Sequence, residues 1–165
     1  MSDNILKFSM NRCTSVEPVD ENTLRSVCRL NDTFSTASIE ILVRLPDLEI
    51  VSASGQFRHE WLDLPDPSTA LQKILGMRIG SGMLKIIKGL MGKDENLEQL
   101  TYMTEECCHG IILALTSDVL IHAPKSEEGK LEFFSRMVQD NIRLYNRCAA
   151  FGPGTRLTEG IDPPK

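Results

Sequence analysis

The chain has 165 residues, 41 % hydrophobic and 25 % charged, with a net charge of −5 from 18 basic and 23 acidic side chains. That length is one domain by the usual size prior, and it can bury roughly two thirds of its unfolded surface without a staple. The acidic balance argues against a nucleic-acid binder, which needs a basic footprint, and no apolar run approaches the roughly 18 residues of a membrane span.

Ile5 to Met10 could be a short edge strand, and the polar stretch Asn11 to Asn22 reads as a loop punctuated by Glu17-Pro18. Thr23 to Leu30 alternates, with Leu24, Cys28 and Leu30 against Arg25 and Arg29. Asn31-Asp32-Thr33 is a turn signal. Ala37 to Leu45 is a clearer strand, with Ile39, Ile41 and Val43 on one face and Glu40 and Arg44 on the other. Leu48 to Leu62 is the third clear strand, bulged at Gly55. Its alternation places Val51, Ala53, Phe57, His59 and Trp61 on the apolar face.

Prolines at Asp63-Leu-Pro-Asp-Pro67 close that strand, and the texture becomes helical. Helical spacing predicts Thr69 to Leu75, then Ile79 to Met91, then a long helix from Leu97 to Leu120. A last helix runs from Ser126 through Tyr145. Phe151 to Lys165 is too rich in Gly and Pro for an element and reads as a tail. Strands first and helices afterwards predict an α+β fold. The expectation is an antiparallel β-meander of three to five strands, covered on one face by three or four C-terminal helices. Residues 1–150 form one domain in this reading, and 151–165 the tail.

The densest chemistry lies in Glu105-Glu-Cys-Cys-His109. Glu105 and His109 are four apart and share a helix face. Cys107 and Cys108 border the packing seam, about 100° apart. One reading makes both thiols small buried hydrophobes. Another makes a reactive thiol paired with His109, or a metal-ligand set of Cys107, His109 and Glu105. A ligand pair two residues apart requires the helix to start or kink there, and His109-Gly110 makes a kink conceivable. His59 is either a satisfied core histidine or a group facing Glu105 and His109 from the sheet. In the second case His59, Glu105, Cys107 and His109 line one pocket, with acid–base or metal chemistry as its work. No nucleophile elbow, P-loop or HExxH motif is present.

Three stretches are similar to the bacterial family of unknown function DUF2889. They are Arg58-His-Glu-Trp-Leu-Asp-Leu-Pro65, Leu75-Gly-Met-Arg-Ile-Gly-Ser-Gly82, and Glu106-Cys-Cys-His109 opening an apolar helix. The resemblance covers about residues 10–120. It implies a strand-rich half, then a Leu-Gly segment, then a Cys-x-His element carried here by Cys107 and His109. The family places a cysteine soon after the proline, whereas this chain has Ser68 and no cysteine between Cys28 and Cys107. The family supplies no reaction.

Five cysteines, Cys13, Cys28, Cys107, Cys108 and Cys148, without a secretory signal in Met1-Ser-Asp-Asn-Ile-Leu-Lys7, read as reduced thiols in a cytosol. Two functional classes follow. One is a small cytoplasmic enzyme acting on a small organic substrate, with a transition metal as a conceivable cofactor. The other is an accessory protein, a homo-oligomer or a subunit of a larger complex, docking through its helical face and tail. Neither class involves nucleic acid or a membrane.

Overall fold

The computed structural model describes residues 7–63, 66–80, 82–92, 97–140, 142–146 and 149–162. Among the described residues four strands come first: β1 (Met10–Asp20), β2 (Thr23–Asp32), β3 (Ser35–Arg44) and β4 (Glu49–His59). They pair in chain order, antiparallel throughout. Four α-helices follow among the described residues, α1 (Ser68–Gln72), α2 (Met83–Met91), α3 (Glu98–His122) and α4 (Glu127–Asp140), so the α+β class holds. By contacts the chain forms two compact units, residues 1–115 and 116–165, and their boundary falls inside α3.

In the first unit the sheet has one apolar and one polar face. Register aligns Cys28 with Ile39 and Ser26 with Ile41 on β2 and β3, then Ile39 with Gly55 and Ile41 with Ala53 on β3 and β4. The apolar side chains among these form one buried cluster with Leu71 of α1, Ile87 and Met91 of α2, and Leu100, Met103, Cys107 and Ile111 of α3. The opposite face carries Arg25, Arg29, Glu40 and Gln56 and is mostly wet, as one side of an antiparallel sheet commonly is.

Two glycines let the layers close. A side chain at Gly55 would meet Leu71 Cδ1 at 2.9 Å, so α1 lies directly on β4 there. A side chain at Gly110 would meet Thr14 Cγ2 and Val16 Cγ2, each at 3.1 Å, and Ser26 Oγ at 3.4 Å. α3 thus runs close over β1 and β2. Ser26 Oγ, fully buried, donates to the Cys107 carbonyl oxygen at 2.9 Å and fastens the helix to β2.

Several expectations need correction. The Asn11 to Asn22 loop is mostly β1. An edge strand tolerates Pro18 and needs no apolar alternation when both faces are wet. Of the short strand expected over Ile5 to Met10, residues 5 and 6 lie outside the described set, residues 7–9 form no strand, and Met10 opens β1. The irregularity in β4 is not at Gly55. Register shifts between Leu42 and Val43, which puts Ile50 in the core and Val51 outside. α2 starts at Met83 rather than Ile79, because residues 76–79 are recruited by β4. Gly76 N–H donates to Ile50 O, and Ile50 N–H to Met77 O, each at 2.9 Å.

In the second unit α4 buries Val138, and Phe133 meets Phe134 edge-on at 5.3 Å. The expected tail is a series of hydrogen-bonded turns. Thr158 Oγ1 donates to Gly152 O at 2.7 Å, Thr155 Oγ1 donates to Ala150 O at 2.9 Å, and Asn146 N–H donates to Phe151 O at 2.8 Å. Residues 163–165 of that tail lie outside the described set.

Candidate binding site

The turn between β2 and β3 builds the surface of greatest interest. Asp32 Oδ1 accepts from the backbone N–H of Phe34 and of Ser35, each at 2.7 Å, and Oδ2 accepts from Ser35 Oγ at 2.6 Å. Burial works to raise this carboxyl, but the Ser35 hydroxyl and the two amides outweigh it and hold it below the usual carboxylate range. Nearby His59 acts in the same direction as those donors. An Asx turn of this kind fixes where Phe34 points. The segment before β1 is tied to the same turn, since Thr33 N–H donates to Ser9 O at 3.0 Å and Ser9 N–H to Thr33 Oγ1 at 2.8 Å. That brings Phe8 alongside. Just past β4, Glu60 N–H donates to Phe34 O at 2.9 Å and brings Trp61 over the ring.

The result is an aromatic row. Phe8 and Phe34 lie 6.3 Å apart between ring centroids, and Phe34 and Trp61 lie 4.7 Å apart. His59 closes the row at 6.2 Å from Trp61, and its Nδ1 accepts the Trp61 backbone N–H at 3.2 Å. The row faces solvent. Trp61 is 68 % exposed and Phe8 54 %, with Met10 and Leu62 exposed beside them. The alternation in the sequence makes His59 and Trp61 neighbours but places Trp61 inward, and the structure corrects that. Phe8 and Phe34 carry no periodic signal of their own. The available clue is the Asn31-Asp32-Thr33 turn, which delivers the next residue to the end of the sheet.

The Glu105 to His109 cluster does not assemble into a reactive centre. α3 runs unbroken from Glu98 to His122, so it neither starts nor ends at the Cys107 and His109 pair. Residues two apart on such a helix point about 160° away from each other. Cys107 is fully buried, with its thiol 3.8 Å from Ile39 O, while His109 is exposed. Glu105 is buried, and its Oε1 finds no hydrogen-bond partner among the described residues. No three His, Cys, Asp or Glu side chains among the described residues lie together as a metal-ligand set. The set of Glu105, Cys107 and His109 therefore does not fit a transition metal, and His59 occupies the aromatic row instead.

The thiols behave as core groups. Burial pushes Cys107 up to about 12, with Cys28 and Cys108 acting in the same direction. Burial, aided by Glu105, pushes Cys108 up to about 12 as well. A thiol that keeps its proton is a poor nucleophile and a poor ligand. Below the ordinary thiol pKa of about 8.5, folded and unfolded chains both hold these protons and no pH dependence arises. Above it the unfolded chain releases protons that the folded chain keeps. Stability should therefore fall as pH rises from about 8.5 upward, by up to about 1.4 kcal/mol per pH unit for each thiol. Urea midpoints measured across that range test this, and a Cys107→Ala/Cys108→Ala double variant should show a shallower fall.

No family model matches the chain, and no curated protein or solved structure matches it. No helix among the described residues is long and apolar enough to cross a membrane.

Proposed function

We propose that this chain is a non-catalytic binding protein of the cytosol, an accessory subunit that grips a protein partner through the row Phe8, Phe34, Trp61 and His59. The observation that carries this reading is the exposure of Trp61, 68 %, on an underlying Phe34 ring. Aromatic side chains held rigidly at a surface supply large contact area at small entropic cost, and they dominate the energetics of protein interfaces. Arg58 and Glu60 flank the row with opposite signs, so charge does not select a strongly acidic or basic ligand. Anchoring side chains of the partner are accordingly apolar. The four described cysteines are free thiols, in keeping with a reducing compartment. The resemblance to DUF2889 belongs with this reading, since it implies an order of elements and no reaction.

Trp61 is the only tryptophan in the chain and reports directly on the site. A partner captured by the wild-type chain should shift Trp61 emission on binding. It should bind Trp61→Ala and Phe34→Ala weaker by about 2 kcal/mol, or roughly thirtyfold, as expected for aromatic anchors. The double cysteine variant should bind it as the wild type does. Equal binding to wild type and Trp61→Ala would overturn the proposal.

A further inference from the structure

A second surface, separate from the aromatic row, combines two unsatisfied features on one side of the first unit. The first is the outer edge of β1. The sheet order leaves this strand of 11 residues paired on one side only among the described residues. Such an edge presents backbone donors and acceptors ready for another strand, and proteins usually guard it with charge, proline or a bulge. Here Pro18 and the irregularity between Pro18 and Asp20 guard one end only. The centre, Cys13-Thr14-Ser15-Val16, carries no charge. The charges that flank it are turned to other elements of the same chain. Arg12 donates to Tyr102 Oη at 3.1 Å and lies 4.1 Å over that ring, and Glu17 pairs with Arg25 of β2. The opposite edge differs, because residues 76–79 cover the first part of β4.

The second feature is the flank of α3 above that edge. Tyr102 meets Arg12, and Gly110 sits against Thr14 and Val16, so α3 stands over β1. Tyr102, Glu106, His109 and Leu113 share the flank turned to this side by their helical spacing, Glu106 half-buried and the other three exposed, Leu113 at 68 %. Thr101, Glu105 and Cys108, on the other flank, are buried.

We infer that these two features together are the interface with a second copy of this chain. Two β1 edges pair antiparallel about a two-fold axis perpendicular to the sheet. That operation keeps both helix layers on one side and continues the sheet across the pair to eight strands. It also brings the two α3 flanks toward each other. An isologous contact of this kind satisfies strand and helix with one surface. A foreign peptide strand added to β1 would leave Leu113 wet, and a foreign helix against Leu113 would leave the strand edge open.

Equilibrium sedimentation of the full chain should give twice the 18.5 kDa mass of one chain, dissociating on dilution. Leu113→Glu puts a charge on the helix flank, and Ser15→Lys puts one at the strand edge. Both positions are exposed, so each variant keeps its fold, checked by circular dichroism and unchanged Trp61 emission. Each should weaken the dimer by about tenfold or more. Backbone amides of β1 should exchange more slowly in the dimer than in the Leu113→Glu monomer. A wild-type chain that is monomeric at every concentration overturns the inference. So does a dimer that either variant leaves intact.

Discussion

Gly110→Leu should lower the stability of the chain by about 3 kcal/mol or more, although leucine is the better helix former by close to 1 kcal/mol. The two effects oppose, and the distances decide between them. A single carbon at this position already lies 3.1 Å from the Thr14 and Val16 methyl groups and 3.4 Å from Ser26 Oγ. Three further carbons have nowhere to go except between α3 and the sheet. Moving the helix outward would stretch the bond from Ser26 to the Cys107 carbonyl, 2.9 Å long, and draw Cys107 off Ile39. Gly110→Ala is the informative companion. Its helix gain of close to 1 kcal/mol offsets a shift of a few tenths of an ångström, so it should fall within about 1 kcal/mol of wild type. Urea unfolding followed by circular dichroism separates the two. A Gly110→Leu chain as stable as wild type would show that α3 does not lie this close to β1 and β2.

How far the fold is legible in the sequence depends on where each residue stands. β3, and β4 past its register shift, turn one face to the core, so Ile39, Ile41 and Ala53 alternate with less buried residues and these strands can be read directly, while β2 keeps the same rhythm at Cys28 and Leu30 around exposed Arg29. β1 buries almost nothing. Thr14 and Val16 are half-buried and the rest is exposed, so no alternation marks it. The start of α2 is hidden for a different reason. Met77 and Ile79 have apolar side chains that fit helical spacing, yet their backbone is claimed by β4, a long-range pairing that no local pattern reports. Trp61 falls on the wrong face when a period of two is carried past the point where the helices cover the sheet. The aromatic row is assembled from three distant segments, which the ends of the β1–β2 and β3–β4 ladders and the hydrogen bonds of Asp32, Thr33 and Glu60 bring together.

Glu105 gives the second large expected effect, with the opposite sign. On the helix it lies about 40° from His109, near enough to predict a shared face. The boundary between covered and open surface passes between the two, so His109 is exposed while Glu105 is buried. A buried carboxylate oxygen without a partner among the described residues carries a desolvation cost that nothing visible offsets. Glu105→Met keeps the length and removes that group, and should raise stability by about 1–3 kcal/mol. Glu105→Lys puts an ammonium group in the same buried place and should lower stability by about 3–5 kcal/mol. A thermal unfolding series reads both. If Glu105→Met instead loses more than about 1 kcal/mol, the carboxylate is compensated and its burial carries no net cost. If it gains, the chain holds an acid in its core at a cost to folding, and the reason must lie in what Glu105 does rather than in what it stabilises. The same Glu105→Met variant then separates the two functional classes. A binding protein that works through Trp61 should keep full affinity for its partner, because Glu105 lies on the buried flank of α3 and the aromatic row is built at one end of β2 to β4. Loss of function with that affinity intact would restore the enzyme reading and would place its acid at Glu105.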